Sequence, residues 1–180
     1  MITDGKPITK FGKAFMQLGI GRIGEFQFPV LFALTLILLS FPLMFHVKWG
    51  NYVQALGGSE TALKRSGVRT GFYRISVHVL LGITAAVTAV IITARLNSAE
   101  PNAGMNMELD AITAVIMGGT PIRGGNASIA GTVLAVLILG IIRNGLTLLS
   151  VSSDFQQWVT GFLLLASVLI SEIRVWNTRA

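Results

Sequence analysis

The chain has 180 residues, of which 52% are hydrophobic and only 12% charged, with a mean hydropathy of +0.69. Ordinary soluble domains carry about 25% charged residues, so this balance excludes a soluble globular protein and indicates a membrane protein. The net charge of +6 is not a nucleic-acid footprint, because the cations fall mainly between apolar runs without interleaved aromatics. Absence of cysteine removes disulfides, thiol catalysis and cysteine-held metal.

Residues 1–28 are mixed and polar and are read as an extracytoplasmic segment; Lys6, Lys10 and Lys13 lead into no apolar core with a cleavage site, so this is not a signal peptide. Residues 29–47 (PVLFALTLILLSFPLMFHV) form the first span, with Pro29 suited to a first helical turn and Pro42 placed for a kink. Residues 75–96 are the second, with Ala85, Ala89 and Thr93 making a small-residue face for a neighbouring helix. Residues 107–120 are apolar in the middle but short, compatible with a tilted crossing or a re-entrant helix. Residues 128–149 cross again, with Ala127, Gly131 and Ala135 as a second small-residue stripe. Residues 158–173 close the set, flanked by Trp158 and Trp176 as interfacial anchors. The membrane region is therefore 29–174, followed by a cytoplasmic tail, 175–180. The expected fold is an all-α polytopic helix bundle of about five spans.

Between the first two spans, residues 48–74 carry Lys48, Lys64, Arg65, Arg69 and Arg74 against one acid, Glu60. Short loops rich in Lys and Arg stay inside. With this loop cytoplasmic and all five segments crossing, Arg123, Arg174 and Arg179 fall inside and Glu100, Glu108, Asp110 and Asp154 outside. A re-entrant 107–120 would expose Arg174 and Arg179 outside, so five crossings with an external N-terminus is the expected topology. Lys6, Lys10, Lys13 and Arg22 count against it.

Within the loop, Gly57 and Gly58 permit a sharp turn, Ser59 can cap a short helix, Glu60 suits its positive end and Gly67 can terminate it in a left-handed conformation. Such a helix either docks a cytoplasmic partner or is a solvated basic loop that fixes topology. A second motif, Gly118-Gly119-Thr120-Pro121-Ile122-Arg123-Gly124-Gly125, lacks the lysine of a phosphate loop and reads as a tight cytoplasmic reversal. Arg143 and Asn144 interrupt an apolar span; both can snorkel to the outer interface, or Asn144 can line a path. Glu108 and Asp110 read as helix-start residues. His46 and His78 are far apart and have no metal-ligand spacing around them. No nucleophile, base and orienting group can be assembled, so no enzymatic activity, bound cofactor or metal is expected.

The runs TDGKPIT, GGSETALKRSGV, NSAEPNAGMNMELDAITAVIMGGTPIRGGNASIAGT and RNGLTLLSVSSDFQQWVTGFLLL, in this order, resemble the C-terminal half of ribose-type sugar permeases, the membrane subunits of bacterial ATP-binding-cassette importers. The resemblance covers nearly the whole chain. It implies half of a permease fold of roughly ten helices, in the inner membrane and in contact with lipid. Glu60–Gly67 would be the coupling helix that docks on a cytoplasmic ATPase, which itself binds the ATP. Where the family pattern has a second acid and two alanines, this chain has Thr61, Ala62 and Leu63, which puts one polar contact to the ATPase in doubt; the glycine is kept as Gly67. Implied partners are that ATPase, an external sugar-binding protein, a second permease chain and an N-terminal permease half. A rival reading is a non-transporting remnant or membrane subunit that binds the ATPase. Which sugar is carried is not legible.

Overall fold

The computed structural model of the chain describes residues 8–9 and 11–177; the side chains of residues 8, 9, 23 and 173–177 fall outside the description. Lys6, Lys10 and Arg179, and the side chains of Arg174 and of the expected interfacial anchor Trp176, therefore lie outside it. The chain is all-α. In order run β1 (Ile8–Thr9), α1 (Lys13–Ile20), β2 (Arg22–Ile23), β3 (Phe26–Gln27), α2 (Phe28–Phe45), α3 (Lys48–Gly58) and α4 (Glu60–Arg65). Then follow α5 (Thr70–Leu96), β4 (Ser98–Ala99), α6 (Met107–Met117), α7 (Ile129–Leu148) and α8 (Ser153–Asn177).

Helices α2, α5 and α7 are each long and apolar enough to cross a membrane. None of α2's residues is buried, and Leu38 and Leu39 are more than 60% exposed. Among the described residues the buried hydrophobic side chains are only Leu63, Ala94, Ala114, Ile116 and Ala135. In water each large apolar side chain left exposed forgoes about 1.5–3 kcal/mol of burial. In lipid that cost vanishes, and the chain is a multi-pass membrane protein.

Element boundaries differ from the hydropathy reading most at the starts of α5 and α8, while α2 ends at Phe45, two residues short of the run, and α6 at Met117, three short. The apolar run marks where hydrocarbon is demanded, whereas the helix continues for as long as its backbone bonds do. Thus α5 starts at Thr70, five residues before the apolar run, and α8 at Ser153 rather than at Trp158. Residues 48–58, read as loop, are the helix α3, whose Trp49 Nε1 donates to Ser76 Oγ on α5 at 2.8 Å. The N-terminal segment is not simply loop, since it contains α1 and the hairpin β2–β3.

The chain divides into two compact units. The first comprises residues 1–49 and 69–105. There α1 packs on α2 and α5, and Gly19 lies so close to the backbone of Ala94 and Arg95 that any Cβ would overlap it. Ala94 is fully buried, whereas Ala85 and Ala89 are exposed; α5 packs within this unit through Ala94 and not through the expected small face. Strands β1 and β4 pair antiparallel, Ile8 with Ala99 and Thr9 with Ser98.

The second unit comprises residues 50–68 and 106–180. Here α6 packs on both α7 and α8. It runs antiparallel to α7: Asp110, near its start, meets Arg143 near the end of α7, and Gly118, at its C-cap, meets Gly131 near the start of α7. Gly131 and Ala135 of the predicted stripe face this contact, with Ala114 and Ala135 each 2% exposed. Small residues let helix backbones approach closely where lipid gives no hydrophobic drive. A Cβ on Gly131 would overlap the Gly118 carbonyl. Gly131→Leu should therefore destabilise the unit by about 3 kcal/mol, seen as a lowered Tm and aggregation in detergent. Gly140→Leu, at a position with open space around its Cβ, should leave Tm near wild type.

Candidate functional site

Helix α4 has only six residues, yet it is closed at both ends. At its start the Ser59 hydroxyl accepts from Ala62 N at 3.3 Å, satisfying one of the amides a helix start leaves open. At its end Gly67 N donates to Lys64 O and Val68 N to Leu63 O, with Gly67 at φ 78°. That is a Schellman motif, which needs a left-handed residue at the position Gly67 fills. Glu60 and Lys64 pair at 2.8 Å one turn apart, and Leu63 is buried while Thr61, Ala62, Lys64 and Arg65 are exposed. The helix is anchored on one side and presents a small, basic face on the other.

What precedes α4 is not the expected sharp turn. Gly57 and Gly58 are the last residues of α3, and Ser59 alone separates the two helices. Their glycine identity has another cause. A Cβ on Gly57 would lie 2.7 Å from Gly125 N, and one on Gly124 would lie 2.9 Å from Gly57 Cα. The two glycine motifs, more than sixty residues apart, thus form one backbone-to-backbone seam. In the reversal between α6 and α7, Gly119, Gly124 and Gly125 have φ of 92°, 77° and 89°, values that only glycine adopts at little cost. Gly118 is the α6 C-cap, and Thr120 Oγ1 accepts from Ser128 N at 3.2 Å, tying the reversal to the cap of α7.

Two ion pairs hold this unit. Arg123, from the reversal, donates through Nε and an Nη to the two carboxylate oxygens of Glu172 on α8, both at 3.1 Å. Arg143 forks onto Asp110 with both contacts at 2.7 Å. Asp110 is in the first turn of α6, as expected of a helix-start residue, and the structure adds a partner for it: opposite charges on adjacent apolar helices satisfy one another. Their opposite signs in neighbouring spans were the available signal. Two clefts share this pair. One of about 300 Å³ is lined by Asp110, Ala114, Arg143, Gln156 and Thr160 among apolar side chains. The other, about 930 Å³, is lined by Asn106, Asp110, Arg143, Asp154 and Trp158 among others. Asn144, the sequence candidate for a path, is exposed and lines neither.

The profile of the family described as branched-chain amino acid transport system / permease component matches residues 3–168. The chain belongs to this permease family. Among curated proteins, this chain is 40% identical over 172 residues to the ribose import permease protein of Escherichia coli, covering 93% of this chain and 54% of that one. It is 38% identical to the ribose import permease protein of Bacillus subtilis, over 93% and 53%, and 34% identical to the D-allose transport system permease protein of Escherichia coli, over 96% and 53%. The chain spans about half the length of the curated relatives it matches. No solved structure matches it.

Proposed function

We propose that this chain is a membrane-spanning permease portion of a bacterial ATP-binding-cassette importer of monosaccharides, seated in the inner membrane, and that α4 couples closure of a cytoplasmic ATPase to rearrangement of the spans. The relatives named for ribose and allose favour a sugar over the amino acids of the family description. The observation that carries the coupling role is the glycine seam. A push on the exposed face of α4 has a direct backbone route, through Gly57 and Gly124, into the reversal that joins α6 to α7. Glu60, Thr61, Ala62, Leu63 and Gly67 shape the docking helix; Gly118, Gly119 and Gly125 complete the route, and Gly58 lies beside it with room for a Cβ. The chain itself is not an enzyme and holds no cofactor; ATP is hydrolysed by the partner, and an external binding protein delivers the sugar.

Five crossings accord with this role. At 1.5 Å per residue, α6 is about 16 Å long, half the hydrocarbon core. Its C-cap Gly118 meets Gly131 near the start of α7, and Asp110 in its first turn is reached by the side chain of Arg143 from the last third of α7, so its start lies toward the far end of a spanning helix, which favours a crossing over a re-entrant loop. A second reading, a subunit that binds the ATPase without transporting, draws on the self-contained capping of α4, since docking alone needs only that helix.

The test is retention of the cognate ATPase from detergent by the tagged chain, with and without an N-terminal permease half. Retention that requires the second half and is lost in Gly67→Pro, which cannot adopt φ 78°, supports the coupling role in a transporter. Retention by the chain alone favours the binding subunit. Absence of retention in every combination rejects both.

A further inference from the structure

We propose that the larger cleft in the second unit is a low-affinity site for a single monosaccharide, with the Asp110–Arg143 pair as its polar floor and Trp158 as its stacking wall; this deepens the permease reading and rests on it for the choice of sugars. The lining is mainly apolar, with Leu109, Phe162, Leu164 and Leu165, and carries a small group of polar side chains. A neutral sugar offers hydroxyls that both donate and accept, plus a face of C–H bonds. Asp110 and Asp154 accept, Arg143 donates, Asn106 and Gln157 do either, and the Trp158 indole supplies a flat apolar wall for the C–H face. Asp110 engages Arg143 through two contacts, leaving three of the five guanidinium N–H donors for other partners. The Asp110–Arg143 pair is already neutralised, and Asp154 leaves the lining with one negative charge, which suits the hydroxyl donors of a neutral ligand and disfavours an anion. At about 930 Å³ the cleft is within the range of small-molecule sites and has ample room for a pyranose or furanose.

Position along the helices strengthens the assignment. Asp110 is in the first turn of α6, Arg143 in the last third of α7 and Trp158 near the start of α8. All three therefore lie toward one end of this antiparallel set, away from Gly118, Gly131 and the reversal at the other end. A site at the end remote from the seam is where movement of α6 and α7 would alter access. A transport site must also release its cargo, so half-saturation in the millimolar range is expected.

The full chain in lipid nanodiscs is to be studied by saturation-transfer-difference NMR with D-ribose, D-allose and D-xylose, and with L-leucine as a non-sugar probe. The expected result is saturable transfer to C–H protons of at least one sugar and none to leucine. The transfer should fall at least tenfold in Trp158→Ala, and half-saturation should rise at least threefold in Asp154→Asn; both residues are exposed and leave the ion pair intact. No transfer to any sugar, equal transfer in both variants, or transfer to leucine alone overturns the site. ATPase retention measured on matching preparations that also contain an N-terminal permease half separates the two failures. Retention without sugar contact rejects only the site, and sugar contact without retention rejects only the coupling role.

Discussion

Gly57→Ala is expected to reduce sugar uptake to a tenth of wild type or less, while Gly58→Ala, one residue on, leaves it within twofold. Both glycines end the same helix, and alanine favours helix by up to about 1 kcal/mol at either position, so propensity cannot separate them. Sterics can. The Cβ of residue 57 would sit 2.7 Å from Gly125 N and 3.2 Å from Gly124 Cα, whereas that of residue 58 would come no nearer than 3.7 Å to Gly125 Cα. The obstacle at residue 57 is backbone held at positive φ, which cannot swing aside as a side chain would. One methyl must therefore push α3 off the reversal, and α4 follows it through a single intervening residue. Because the exposed face of α4 is untouched, ATPase retention should persist, and loss of uptake with retained ATPase is the signature of an uncoupled seam. Uptake in cells supplying the other transporter subunits, paired with co-purification, measures both. Equal activity of the two alanine variants would falsify the seam as the transmission route.

That contrast shows where the sequence was legible. The capping of α4 was readable because each of its signals is local: a serine before the helix, an acid in its first turn, a glycine three residues after Lys64. Spans α2, α5 and α7 were readable because lipid imposes a length and a composition. The partnership of Gly57 with Gly124 was not, since a glycine kept for a close approach looks in sequence like a glycine kept for a turn. Helix α3 was missed for the same reason: a polar segment with three glycines, Gly50, Gly57 and Gly58, reads as loop, and what holds its start is a long-range hydrogen bond from Trp49. The two motifs were each visible, but that they form one contact is a property of the fold. Asn144 drew notice as a polar residue in a span, yet its neighbour Arg143 carries the structural link, because the partner that distinguishes them is on another helix.

The Arg143–Asp110 pair should show strong energetic coupling, and the Arg123–Glu172 pair should not, although both are two-pronged. Geometry alone would rank them together, with four contacts between 2.7 and 3.1 Å. The difference is the surroundings. Arg123 and Glu172 are 63% and 49% exposed, and the reading that puts them at the cytoplasmic surface leaves them in water, where such pairs contribute about 0–1 kcal/mol. Arg143 is 49% and Asp110 25% exposed, but what they face is a cleft between apolar helices. Removal of one partner there leaves a charge whose cost at membrane depth is about 2.5–3.5 kcal/mol, reduced by whatever water the cleft admits. Asp110→Ala and Arg143→Ala should each lose about 2–3 kcal/mol in SDS-titration unfolding from mixed micelles. The double variant should lose less than the sum, with a coupling energy of about 1.5 kcal/mol or more. In the matching cycle, Arg123→Ala with Glu172→Ala should couple by less than about 0.5 kcal/mol. Coupling at Arg143 as weak as at Arg123 would mean that the pair is fully hydrated and outside the hydrocarbon. The short helix α6 would then begin at the outer surface, on the side where the five-crossing arrangement places Glu108 and Asp110.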